Sequence, residues 1–174
     1  MPFSRFEPRD NKGRWTVSQI MYPDLPSEES NTPGKRYVSP LSPKEILGKA
    51  DKDGFVSSGN DKGSHQCVPL VKAAVPQLGP TSGWRKGADI TGPDDPNLQP
   101  GTAIGYGFSP DGSFPHNKTG QHAGIAGGRG PDGKQTITDQ FDHRDKNHPD
   151  GQFQLAKNHS LNFEKHWSVI TRDK

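Results

Sequence analysis

Gln66-Cys67-Val68-Pro69-Leu70-Val71-Lys72-Ala73-Ala74-Val75-Pro76 is the stretch on which the fold turns. Apolar residues at 68, 71 and 75, with 70 and 74 beside them, recur at helical spacing. Pro69 restricts where this helix begins, because a proline fits only where its missing N–H had no helical partner to lose. Gln66 or Cys67 as N-cap puts Pro69 at the third or second helical position, and both are allowed. Cys67, the only cysteine, therefore sits at the first turn. Pro76 stops the helix near Val75. A thiol placed there meets the positive end of the helix dipole and backbone N–H groups with no carbonyl of their own, which stabilises a thiolate.

Upstream, Ser42-Pro43-Lys44-Glu45-Ile46-Leu47 has a capping serine, a proline at the first helical position and a glutamate three residues after the cap. This capping box predicts a short helix. Residues 51–66 and 76–100 read as loops, the second with a turn at Gly92-Pro93-Asp94-Asp95-Pro96. Residues 101–108 alternate small and apolar side chains and read as a strand. His122 to Ala126 and Gln135 to Phe141 flank the turn signal Pro131-Asp132-Gly133 and predict a β-hairpin. Residues 142–160, with His143, His148 and His159 among Asp, Lys and Asn, read as an exposed excursion. Residues 161–171 return as a last strand. The expected fold is α+β: a short helix carrying the cysteine, packed on an antiparallel sheet with long Gly/Pro-rich loops.

Composition narrows the classes. The 174 residues include 21 Gly and 17 Pro, and only 27% are hydrophobic. Coiled coils and helical bundles do not tolerate so many helix breakers. No apolar run approaches the ~20 residues of a membrane span. Lys and Arg (22) nearly balance Asp and Glu (20) and are interspersed with them, so no basic stripe points to nucleic acid. One cysteine excludes an intramolecular disulfide. The first residues hold no apolar core of a Sec signal. The expectation is synthesis in the cytoplasm and, if the protein acts outside, export by another route.

Cys67 and His122 are the candidate nucleophile and base of a thiol hydrolase. The bland alternative is a core cysteine and a satisfied polar histidine. His65, two residues before the thiol, is a second possible base. A third residue beside His122 would set its tautomer, and Asp139 and Gln140 compete for that role. If Ile125 and Ile137 share the apolar face, strand parity puts Gln140 with His122 and leaves Asp139 opposite, unless a bulge in the Gly-rich hairpin intervenes. Chemistry favours Asp139, since a carboxylate stabilises imidazolium better than an amide does. Gln66, beside the thiol, and Trp84 are candidate substrate contacts, although Trp84 in its Gly-rich loop equally reads as an anchor on the core. The histidines at 143, 148, 159 and 166 match no zinc spacing, so neither metal nor cofactor is expected.

Cys67-Val68-Pro69-Leu70-Val71-Lys72, Pro80-Thr81-Ser82-Gly83-Trp84-Arg85-Lys86-Gly87, Leu98-Gln99-Pro100-Gly101-Thr102-Ala103-Ile104, Gly120-Gln121-His122-Ala123-Gly124-Ile125 and Asp139-Gln140-Phe141 follow in one order. This order resembles the NlpC/P60 and CHAP group of papain-like cysteine hydrolases, in particular a small bacterial branch similar to type VI secretion amidase effectors. The resemblance spans about residues 60–141. It implies a papain-like core and hydrolysis of an amide in the peptidoglycan stem peptide, often the bond from D-glutamate to the diamino acid. Cys67 would be nucleophile, His122 base and Asp139 orienting group, with Gln140 as the alternative. It also implies an antibacterial effector acting in the periplasm of a target bacterium, with an immunity protein as partner. Residues 1–50 would be a Pro-rich arm, with a strand-like run at Trp15 to Tyr22, packing on the core or on a secretion component. Residues 51–174 would be the hydrolase domain. The rivals are a papain-like module of a secretion or phage-tail assembly that has lost catalysis, and a papain-like enzyme for another amide or for acyl transfer.

Overall fold

The computed structural model describes residues 36–59, 65–116 and 120–173. Two α-helices among them, α1 (Pro43–Leu47) and α2 (Cys67–Ala74), accompany a six-stranded antiparallel sheet in an α+β arrangement. The strands are β1 (Trp84–Asp89), β2 (Ala103–Tyr106), β3 (His122–Arg129), β4 (Gln135–Asp142), β5 (Phe153–Ser160) and β6 (Ser168–Arg172). Their spatial order is β1-β6-β2-β3-β4-β5. β2 to β5 thus form a meander, and β6 returns to the far side of β2.

Local chemistry accounts for both helices. In α1 the Ser42 N–H donates to Glu45 Oε2 (2.8 Å) and the Glu45 N–H to Ser42 Oγ (3.3 Å), which closes the capping box. In α2 the N-cap is Gln66, so Cys67 is the first helical residue and Pro69 the third, where its missing N–H costs no helical bond. Leu70, Val71 and Ala74 form the buried face, laid on β3 and β4.

The centre of the sheet is covered on both sides. Ala103, Ala123, Ile125 and Ile170 join α2, Tyr37, Ile46, Val56, Trp84 and Phe114 in one apolar cluster. Ile104, Ala126 and Ile137 point the other way, into a cluster closed by Leu98, Leu161 and Trp167 from the loops. Between β3 and β4, Ile125 pairs with Thr138 and Ala126 with Ile137, but Gly128 pairs with Thr136. Gly127 is therefore the extra residue of a bulge. Gly128 after it has φ 79°, a left-handed conformation that glycine adopts without strain.

Two sequence expectations change. Residues 153–160 are not part of an excursion: they are β5, the outer partner of β4. Their polar composition reflects an edge strand, which pairs through its backbone and leaves Phe153 and Leu155 exposed. The stretch 76–100, expected as loop, contains β1, paired with β6. Residues 36–50, the described part of the expected arm, pack on the core. Tyr37 and Ile46 are core residues, and Val38 bridges to Thr102. The run at Trp15 to Tyr22 lies outside the described residues. No helix among the described residues is long and apolar enough to cross a membrane.

Candidate active site

His122 is the first residue of β3, and Cys67 the first of α2. The thiol lies within hydrogen-bonding reach of the His122 imidazole. On the ring's other side, Nε2 stands 2.8 Å from Asp139 Oδ2, which leaves Nδ1 to serve the thiol. Asp139 is 4% exposed, and its second oxygen is engaged too. Gln154 Nε2 donates to Oδ1 (2.5 Å), and His159 Nε2 lies 2.8 Å from the same oxygen. Tyr106 and Trp167 flank the His122 ring at centroid distances of 5.9 and 6.3 Å.

The electrostatics follow from burial and these partners. Burial opposes charge on His122, but the Asp139 hydrogen bond, and then Cys67, outweigh it and raise the imidazole from 6.5 to about 10. Burial likewise opposes the Asp139 anion. Hydrogen bonds from His122 and His159 overcome this and lower it from 3.8 to about 2. Tyr106 is pushed up, first by burial and then by the nearby Cys67 and Asp139 charges.

The thiol and His122 line an open cleft of about 770 Å³, with Phe114, Gln121, Phe141 and His143 around them. Arg144 grips Asp142 on the cleft wall through two hydrogen bonds of 2.8 Å. The Arg144 pairing, above all, holds the Asp142 carboxyl well below the usual carboxylate range.

Asp139 and not Gln140 meets His122. The premise that Ile125 and Ile137 share a face fails, because they belong to clusters on opposite faces. With that face reversed, strand parity puts Asp139 beside His122. Gln140 is fully buried: it accepts from the Val56 N–H (2.7 Å) and donates to the carbonyls of Val56 (2.7 Å) and Gln66 (2.9 Å). Gln66 lines the cleft, and its side-chain amide donates to the Asp142 carbonyl. Trp84, expected as a substrate contact or an anchor, is 0% exposed, packs on Phe114 and donates from Nε1 to the Gly79 carbonyl (3.2 Å). It anchors the core and cannot touch a substrate. His65 stacks on Phe55 (4.1 Å) and faces Asp142, which takes it away from the Cys67–His122 pair.

His159, Gln154, Tyr106 and Trp167 were not singled out as site residues from the sequence. The one available signal for β5 was the absence of Gly and Pro from 152 to 174, which favours regular structure. Asp51, Asp53 and His65 bring ligand atoms within 4.8 Å of one another. Lys52 Nζ already holds Asp53 (2.8 and 3.0 Å), and Asp51 Oδ1 accepts the N–H groups of Asp53 and Phe55. The cluster's charges and acceptors are answered within the protein. Comparison of the chain with protein-family models, with curated proteins and with solved structures finds no match.

Proposed function

We propose that this chain is a cysteine-dependent amidase or endopeptidase with a papain-like core, acting on the stem peptide of bacterial peptidoglycan. The observation that carries the reaction type is the line Cys67, His122, Asp139 beside an open cleft, with the thiol at a helix N-terminus. The cell-wall substrate is supported by the resemblance of residues 60–141 to NlpC/P60 and CHAP hydrolases. From that resemblance too comes the reading as a secreted antibacterial effector restrained by an immunity protein. A thiol in hydrogen-bonding reach of an imidazole backed by a carboxylate favours an enzyme over an inactive binding module.

In the first step the Cys67 thiolate adds to the amide carbonyl, forming a C–S bond and a tetrahedral oxyanion. The Cys67 N–H belongs to the first turn of α2, where helix geometry supplies it no carbonyl, so it is a donor suited to that oxyanion. The His122 imidazolium gives its proton to the leaving nitrogen as the C–N bond breaks, which leaves a thioester. His122 then takes a proton from water. The hydroxide adds to the thioester carbonyl, the C–S bond breaks to return the Cys67 thiolate, and the carboxylic acid product gives its proton to water as it leaves as carboxylate. Asp139 keeps the ring oriented and stabilises its charged form throughout.

Digestion of purified Gram-negative peptidoglycan by wild type and Cys67→Ala, with released fragments identified by mass, tests the proposal. Wild type should release new muropeptides, and the variant should fall by at least ~10⁴-fold. Equal release by the two would refute a thiol mechanism.

A further inference from the structure

We propose that His159 and Gln154, both on β5, are positioning residues for the thiol reaction: they fix the Asp139 carboxylate from the side opposite His122. The proposal rests on the cysteine-hydrolase reading above. His122 takes one carboxylate oxygen, while His159 (2.8 Å) and Gln154 (2.5 Å) take the other. With both oxygens held, the carboxylate cannot rotate out of line with the imidazole. Asp139 is 4% exposed, so water cannot readily replace a lost donor, and a buried anionic oxygen without partners is costly.

The His159 ring is itself held at its other nitrogen. His159 Nδ1 lies 3.1 Å from the Ser160 carbonyl oxygen. Both ring nitrogens therefore face oxygen acceptors, and the two contacts together fix the plane of the ring that meets Asp139.

The titratable and charged groups near Asp139 are His122 from β3, Tyr106 from β2, and His159 and Lys157 from β5, the last opposite Asp139 in the strand register. Core packing does not explain why β5 places these residues here. Phe153 and Leu155 are 48% and 45% exposed, whereas the polar Gln154 and His159 reach inward to Asp139.

Cys67 is the only cysteine, so its alkylation by iodoacetamide reports the thiolate without any substrate. Rates would be measured between about pH 4 and pH 9 for wild type, His122→Ala, His159→Ala, His159→Gln and Gln154→Leu. The acid edge of the wild-type profile should move up by about one pH unit in His159→Ala, through loss of a partner that fixes Asp139. His159→Gln restores one amide donor and should recover part of that shift. On peptidoglycan, His159→Ala should lower kcat by about 10-fold with KM unchanged, as expected for misoriented chemistry. If His159→Ala fails to fold, an upward shift of the acid edge in Gln154→Leu carries the same test. Profiles of His159→Ala and Gln154→Leu that superimpose on wild type would overturn the positioning role while leaving the thiol reading intact. A wild-type profile identical to that of His122→Ala would instead remove the thiol–imidazole pair, and this proposal with it.

Discussion

Asp139 and Gln140 are neighbours in β4, both almost fully buried, and they serve opposite faces of the sheet. Asp139 directs its oxygens to two imidazoles and a side-chain amide. Gln140 directs its amide to the backbone of Val56 and Gln66, and so ties the chain leading into α2 to the sheet. One face of the strand holds His122, and the other holds the start of the helix that carries Cys67. Cys67 and His122 meet because a single rigid strand places both. A charged residue fits the first task because its partners carry protons. A neutral amide fits the second because it must both accept and donate.

Three experiments can break or sharpen this contrast. The largest effect is expected from Asp139→Asn, which keeps the shape and removes the charge: kcat on peptidoglycan peptide should fall by about 10³- to 10⁴-fold. A drop of less than about 10-fold, within the range of a lost neutral hydrogen bond, would show that the carboxylate is not the orienting group. Next comes Gln140→Ala, which leaves the buried N–H and carbonyl of Val56 without their Gln140 partner. It should cost on the order of 2–4 kcal/mol in urea unfolding, from about 1–3 kcal/mol per unsatisfied group. Its residual kcat should stay well above that of Asp139→Asn. Equal kcat losses in the two variants would erase the division between the faces.

The smallest effect is in the pH dependence of Tm. The His122 imidazole is raised from 6.5 to about 10, so its stabilising contribution is complete below 6.5 and is lost as pH rises through about 10. Asp139 is lowered from 3.8 to about 2, so its contribution is complete above 3.8 and is lost as pH falls through about 2. Both are in full force between those limits, and Tm should be flat there and fall on either side. Asp142, held low mainly by Arg144, adds to the acid-side fall in every variant. Gln140→Ala should lower the whole curve without changing its form, because no titrating group is lost. Asp139→Asn should flatten both flanks. A Gln140→Ala curve that changes form would mean the two faces are electrostatically coupled.

Much of the site was legible in the sequence where the causes are short-ranged. The capping box of α1, the start of α2 around Pro69 and the Pro131-Asp132-Gly133 turn each rest on contacts within a few residues. The choice of Asp139 over Gln140 came from chemistry, while parity misled. Parity tells which residues of a strand share a face, not which face an isoleucine occupies when both are buried, as Ile125 and Ile137 are. β5 escaped notice because an edge strand with exposed Phe153 and Leu155 has no buried apolar stripe to show.

By itself the sequence determined the helix with its thiol at the first turn, the hairpin that begins at His122 and the Cys, His and Asp side chains of the candidate site. Those features follow from backbone sterics, proline's missing donor and hydrogen bonds between near neighbours. The tertiary structure decided the rest: that Asp139 lies between His122 and His159, 17 and 20 residues away, and that Trp84 is buried. It also placed Gln140 as the clamp on the start of the helix. These depend on strand register, on the Gly127 bulge and on which sheet face each element covers, and all three are set by packing between segments far apart in the chain.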